Sequence, residues 1–245
     1  MKNKAGNRVI CILPFYNELG KIGNTSKGFS AVDSIDEVIA VDDGSDDGSP
    51  EEARQAGVTV LRHTERRGVG AAIRTGIDHA LEHGYDIIVV AAGNGKDRPD
   101  ETDRLLTPIL EEGYDYVQGS RYLAGGNPGK MPLHRIVCTR LYPLLIRIML
   151  GFPATEGTNG FRAYKTSLVQ DKRIDLWQDW LNGVELEYYL QVQAIRLGYR
   201  VKEAPVTKTY PSIKMRHYNH YTKASPWGIF NNLKPIFYLT LGIKR

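Results

Sequence analysis

Ile35-Asp36-Glu37-Val38-Ile39-Ala40-Val41 runs directly into Asp42-Asp43-Gly44-Ser45-Asp46-Asp47-Gly48, and this junction decides the fold. The first seven residues form an apolar run of strand length. The next seven form a Gly-rich loop with four carboxylates. The same arrangement recurs on either side. Val9–Leu13 is a short apolar run that ends at Pro14 and leads into Pro14-Phe15-Tyr16-Asn17-Glu18; Asp86–Ala91 holds four consecutive β-branched residues and leads into Ala92–Asp97. Val58–Leu61 and Tyr114–Gln118 read as two further strands. Between the strands, Gly68–His83 places Val69, Ala72, Ile73, Ile77, Ala80 and Leu81 at helical spacing, and Asp100–Glu111 reads as a helix started by Pro99. Alternation of strand and helix, with unbroken apolar strands, predicts an α/β domain with a mostly parallel sheet covered by helices on both faces. Ligands of such sheets bind beyond the carboxyl ends of the strands. That rule singles out Pro14–Glu18, Asp42–Gly48 and Ala92–Asp97.

The second half is less regular. Pro132–Phe152 reads as an interrupted helix, Trp180–Leu197 as a helix ended by Gly198-Tyr199, and Val201–Thr207 as an extended segment. Ile229–Leu241 reads as a broken amphipathic helix around Pro235. The 245 residues suit one large domain over 1–210, followed by a basic and aromatic, membrane-facing extension over 211–245. Net charge is only +4, which does not suggest a nucleic-acid binder, but the excess is uneven. Arg196–Arg245 carries ten Lys and Arg against one acid, Glu203, mixed with Trp227, Phe230 and Phe237. Such a tail suits an anionic partner, a phosphate-bearing substrate or a lipid headgroup layer, with a solvated surface as the plainer reading. Leu141, Leu144, Leu145, Ile148 and Met149 form an apolar stripe beside Arg140 and Arg147, open to core packing or to membrane contact. No stretch reaches the length of about 20 apolar residues that a spanning helix needs. Cys11 and Cys138 lack metal-ligand spacing and read as reduced core residues, and the polar Met1–Asn7 does not open a signal peptide. The expectation is a cytoplasmic protein, peripheral on the cytoplasmic membrane face.

Each acidic or polar loop has an ordinary reading when taken alone. Asp42–Gly48 carries carboxylates that repel unless they hold a cation or hydrogen-bond a ligand, but it is also a plausible polar turn with a helix cap at Asp46 or Asp47. In Pro14–Glu18, Tyr16 is suited to stack on a base and Glu18 to accept from ribose hydroxyls, while Asn17 is equally a plausible helix cap.

Taken together, P-x-Y-N-E after one strand and D-D-G-S-x-D-G-S after the next resemble the opening of family 2 glycosyltransferases, which implies the GT-A fold. Gly119-Ser120-Arg121-Tyr122, Gly125-Gly126, Arg135, Gly157-Thr158-Asn159-Gly160-Phe161-Arg162-Ala163-Tyr164, Glu187, and Leu197-Gly198-Tyr199 leading to Glu203-Ala204-Pro205-Val206 resemble the dolichyl-phosphate mannose synthase group. The resemblance implies an inverting transferase that moves a sugar from a UDP- or GDP-linked donor to a polyprenyl phosphate at a membrane surface. It implies that Pro14, Tyr16 and Glu18 hold the nucleoside, that Asp43, beside Asp42, contacts base or ribose, and that Arg121 and Arg135, with Thr139, engage the acceptor phosphate. Asn159, Phe161 and Arg162 would shape the acceptor and diphosphate pocket. Guanidinium forks suit a phosphate because they bind it bidentately and stay charged; the plainer reading of Arg135 is a surface residue.

The chain departs from the family after the fourth strand. Where the family has D-A-D-L-Q-H-P, this sequence has Gly93-Asn94-Gly95-Lys96-Asp97-Arg98-Pro99. Both signature aspartates are glycines. In the family the aspartates serve Mg²⁺ or Mn²⁺ at the diphosphate. Three readings are open: Asp97 still holds a metal; Lys96, with Asn94 and the backbone of the glycine loop, supplies a fixed cation instead; or turnover is lost and the chain is a non-catalytic nucleotide-sugar-binding module. A lipid phosphate is already ionised and needs no general base. A sugar-hydroxyl acceptor would need one, and Glu187 is the candidate, with a structural pair to an arginine as its plainer reading. A nucleotidyltransferase would open with a Gly-rich basic loop, which does not follow the first strand.

Overall fold

The computed structural model describes residues 6–131, 133–209 and 226–243, the side chains of 133–138 and 226–232 excepted. In chain order the elements are β1 (Val9–Phe15), α1 (Ile22–Ser30), β2 (Glu37–Asp42), α2 (Ser49–Gln55), β3 (Thr59–Arg62), α3 (Val69–Glu82), β4 (Ile87–Val90), α4 (Thr102–Leu110), β5 (Tyr116–Ser120), α5 (Leu133–Leu150), β6 (Arg162–Lys165), α6 (Thr166–Val169), α7 (Glu185–Arg196), β7 (Val201–Pro205) and α8 (Pro226–Thr240). The strands form one sheet in the order β3-β2-β1-β4-β6-β5-β7. Only β6 runs antiparallel to its neighbours, β4 and β5; the other pairings are parallel.

The apolar strands are unbroken because both faces of the sheet are covered. Along β1, Ile10 and Ile12 enter one core with Ile39, Val41, Ile77, Ile88 and Leu190. Val9, Cys11 and Leu13 enter the opposite core with Phe29, Val38, Val89 and Leu105. Side chains alternate across a strand, so a strand between two cores must be apolar at every position. Burial pushes the Cys11 thiol well above its usual range, and the Asp97 charge adds to that, which keeps the thiol protonated and unreactive.

The second half corrects two expectations. Leu133–Leu150 is one helix that carries Pro143 inside it, and Pro226–Thr240 is one helix that carries Pro235. Ile236 and Leu239 are fully buried in the main core, and Tyr238 meets Trp180 edge to face at 5.5 Å. The stretch 210–225, with Lys214, Arg216 and Lys223 of the expected basic tail, lies outside the described residues. α7 stops as the sequence predicts: Gly198, at φ +79°, lets the Tyr199 N–H return to the Ala194 carbonyl at 3.0 Å.

Candidate active site

Because β1 to β5 and β7 point the same way, their carboxyl ends at Phe15, Asp42, Arg62, Val90, Ser120 and Pro205 share one edge of the sheet. The antiparallel β6 brings its first residue, Arg162, to that edge. The expected loops therefore meet there.

The loops after β1 and β2, expected to hold the nucleotide, are stitched together by Asn17, which holds a left-handed φ of 52°. Its N–H donates to Ser45 Oγ at 2.9 Å, its side-chain amide donates to Asp46 at 2.8 Å, and its Oδ1 accepts the Asp46 N–H at 3.0 Å. Pro14 sits at the end of β1, and its carbonyl accepts the Gly93 N–H at 3.1 Å, which ties the first loop to the third. The Arg66 guanidinium lies over the Tyr16 ring at 4.4 Å. Glu18 is paired with Lys21 at 2.5 Å. Asp42 is fully buried; it accepts the Ser45 N–H at 2.9 Å and lies 3.0 Å from Arg62 Nε. Asp43 accepts the N–H groups of Arg67 and Gly68, each at 2.8 Å, and faces His63 Nδ1 at 3.0 Å. Asp43 thus fixes the turn between β3 and α3 as a third wall of this side.

In the loop after β4, Asn94 Oδ1 accepts the Lys96 N–H at 3.2 Å, and Lys96 is buried. The Asp97 side chain is fully enclosed. One of its oxygens accepts the Ala92 N–H at 3.1 Å and the other is paired with the Lys208 ammonium. A β-carbon on Gly93 would meet Phe15 Cβ at 2.8 Å and Ile22 Cδ1 at 2.7 Å, and Gly95 has φ +70°. Among the described residues, no group of three or more His, Cys, Asp or Glu side chains is placed to hold a metal ion. A hard divalent ion needs accessible oxygen ligands, so the residues present do not fit one.

Among the residues expected to engage the acceptor, Arg121 is buried. Its Nε donates to Glu156 at 2.6 Å and its Nη2 to Thr158 Oγ1 at 2.7 Å. Burial alone would raise the Glu156 carboxyl, but the Arg121 charge and the bonds from Arg121 and Thr158 outweigh it and hold the group below its usual range. Thr139 is buried against the Tyr122 hydroxyl. Arg135 is the third residue of α5, and its side chain lies outside the described residues. Asn159, Phe161 and Arg162 are enclosed. Asn159 donates to the Gly119 carbonyl at 3.0 Å, and Phe161 packs edge to face on Phe29 at 5.9 Å. Arg162 donates to Tyr116 Oη at 2.9 Å, to the Glu187 carbonyl at 2.7 Å and to the Asn159 carbonyl at 2.6 Å. The Glu187 carboxylate lies 3.2 Å from the Arg162 guanidinium, the pairing that the plainer reading expected.

The sequence reading passed over three residues that build this edge. Glu156 was not singled out at all. Glu203, quoted only within a motif, accepts the Thr155 N–H at 2.8 Å and the Glu156 N–H at 2.9 Å, and so carries the Arg121 partner; burial pushes its carboxyl up. Lys208 was counted only as part of a basic tail. Their signal lay in partners distant in sequence, which a single chain does not reveal.

The profile of glycosyl transferase family 2 matches residues 10–172. The chain is 33% identical over 205 residues to the undecaprenyl-phosphate mannosyltransferase of Micrococcus luteus, with 82% of this chain and 83% of that protein covered. It is 31% identical over 242 residues to the polyprenol monophosphomannose synthase of Mycolicibacterium smegmatis, covering 92% and 89%. In fold it matches glucosyl-3-phosphoglycerate synthase from Mycobacterium tuberculosis, solved with Mn²⁺, UDP and phosphoglyceric acid, at a TM-score of 0.71 and 19% identity, covering 99% of this chain and 81% of that one. The seven-stranded sheet with its loops gathered at one edge, the family profile and two relatives matched over most of their length lead to one conclusion: the chain belongs to glycosyl transferase family 2 and is a glycosyltransferase with a GT-A fold.

Proposed function

We propose that this enzyme passes a sugar from a nucleotide sugar to a polyprenyl phosphate at a membrane surface. The names of the two relatives support that acceptor class. The observation that carries the reading is the state of the carboxylates. Glu18, Asp42, Asp43, Asp97, Glu156, Glu187 and Glu203 are each held by a cation or by N–H donors of the chain. A sugar-hydroxyl acceptor needs a general base within reach of its proton. A phosphate monoester arrives ionised and needs none. Its oxygen attacks the anomeric carbon directly, the bond to the nucleoside diphosphate breaks, and the configuration inverts.

On this reading the protein's work is placement and charge. The stitched loops at Asn17 and Asp43, with Tyr16 and Pro14, receive the nucleoside. Arg121, fixed beforehand by Glu156, and Arg135 on α5 draw in the acceptor phosphate. Leu141, Leu144 and Ile148, exposed by 40%, 48% and 72%, face outward from α5, whereas Tyr142 and Ile146 on the same helix are buried. This outward row supports peripheral membrane contact next to the acceptor site. Among the described residues, no helix is long and apolar enough to cross a membrane.

The test is incubation with a panel of radiolabelled UDP- and GDP-sugars and vesicles containing polyprenyl phosphate. Label that partitions into organic solvent supports the proposal. Label transferred only to a water-soluble glycan, or no turnover with any donor, contradicts it.

A further inference from the structure

The residues of the loop after β4 do not fit a divalent ion. The first obstacle to a metal is steric. A carboxylate at position 93 would need a β-carbon 2.8 Å from Phe15 Cβ, an atom fixed by β1, and 3.3 Å from the Pro14 carbonyl oxygen. The Ile22 methyl at 2.7 Å can swing aside; the strand cannot. The second obstacle is that Asp97, the remaining carboxylate of the loop, has both oxygens engaged within the chain and no exposed surface.

What the loop holds instead is an ammonium. The segment after β7 runs alongside the loop, bridged to it at Asp97 and Lys208, and is pinned along its length. Thr207 donates its N–H to Glu101 at 2.6 Å and its hydroxyl to the same carboxylate at 2.9 Å. The Lys208 N–H donates to the Asn127 carbonyl at 2.9 Å, and the Thr209 N–H to the Lys96 carbonyl at 2.8 Å. Lys208 and Asp97 therefore face each other as a backbone bridge as well as an ion pair. An ammonium has three donors, and Asp97 takes one. The charge count agrees. Gly93–Asp97 sums to zero, with one lysine and one aspartate. The family pattern it replaces carries two more negative charges, which a divalent ion would neutralise.

We propose that this chain binds the diphosphate of its donor without a metal ion, the Lys208 ammonium, oriented by Asp97, supplying the positive charge at the phosphates. The inference rests on the nucleotide-sugar reading above.

The experiment is calorimetric titration of the full chain with UDP and with GDP, first in EDTA and then in MnCl₂. For whichever nucleotide binds, affinity in EDTA should lie within about threefold of that in manganese. Lys208→Met should weaken binding about tenfold or more, the scale of one lost charge-assisted hydrogen bond. Because Lys208→Met strands a buried carboxylate, the paired variant Asp97→Asn/Lys208→Met serves as the control that restores neutrality; it should fold and bind as weakly. Binding that requires manganese overturns metal-free binding, and a folded double variant with wild-type affinity in EDTA overturns the role of Lys208; either result leaves the transferase reading standing. Failure of both nucleotides to bind under any condition overturns the donor reading, and this inference with it.

Discussion

Removing Glu156 tests the architecture of the acceptor side at its most enclosed point. Its carboxylate has no exposed surface and takes four bonds: Arg121 Nε at 2.6 Å, the N–H groups of Gly157 at 3.0 Å and Thr158 at 2.9 Å, and the Thr158 hydroxyl at 2.8 Å. Glu156→Ala leaves the Arg121 guanidinium, itself only 5% exposed, as an uncompensated buried charge. Breaking a buried pair in this way costs about 3–5 kcal/mol. Glu156→Gln keeps the shape, but its NH₂ end must face either Arg121 Nε–H or the two backbone N–H groups. One donor-on-donor contact is unavoidable, at about 1–3 kcal/mol. Urea unfolding should therefore rank wild type above Gln and Gln above Ala. The pH dependence gives a second, independent readout. The Glu156 carboxyl titrates below its ordinary value of 4.5, so its contribution is present above that pH and is lost as pH falls further. Glu156→Gln should show a shallower loss of stability below pH 4.5 than wild type. Glu203 has the opposite sign, since burial raises its value and the Glu156 charge adds to that: its carboxyl opposes folding once ionised, an effect that sets in above pH 4.5 and so lies outside the range compared. An Ala variant within about 1 kcal/mol of wild type would refute the claim that Arg121 is held by a buried pair.

Three further outcomes follow from the same geometry. Arg162→Met should destabilise the protein by about 3–5 kcal/mol by denaturant unfolding, because Arg162 donates to the Tyr116 hydroxyl and to the Asn159 and Glu187 carbonyls and pairs with the Glu187 carboxylate. Gly68→Ala should lower stability by more than about 1 kcal/mol and weaken nucleotide binding, since Gly68 has φ +104° and a β-carbon there would lie 2.3 Å from the Asn182 carbonyl oxygen. Leu144→Glu/Ile148→Glu should leave the melting temperature within a few degrees and reduce co-sedimentation with anionic vesicles, because both side chains are exposed and each contributes up to about 1.5–3 kcal/mol when buried in lipid.

The strands that were legible were those enclosed by two cores. Val9–Phe15 and Ile87–Val90 are apolar at nearly every position because no position faces water, and such a run is visible without partners. α1 was not legible. Its sequence, IGNTSKGFS, is poor in helix formers, and it is held by Ile22 and Phe29 in the second core, a tertiary cause. β6 was hidden for a related reason. Arg162-Ala163-Tyr164-Lys165 has no apolar period, and its place between β4 and β5 is set by pairing along the sheet rather than by its own composition. The site divides in the same way. The strand-end loops could be located from the parallel-sheet rule alone, but the partners that neutralise them lie far along the chain. Asp97 finds Lys208, Arg121 finds Glu156, and Asp43 finds His63 and the Arg67–Gly68 turn. The stripe on α5 could be read either way because it has two faces: Leu145 and Met149 pack on the core while Leu141, Leu144 and Ile148 face out.

A comparison of two acceptors that differ by one phosphate tests the central claim most directly. With a single labelled nucleotide sugar that supports turnover, the enzyme is offered either polyprenyl phosphate or the matching free polyprenol in identical vesicles. An acceptor that brings its own negative charge should take up label, while the alcohol, for which the described residues of this site hold no uncommitted base, should take up none. Comparable labelling of the alcohol would contradict the account, because some group would then have to remove its proton.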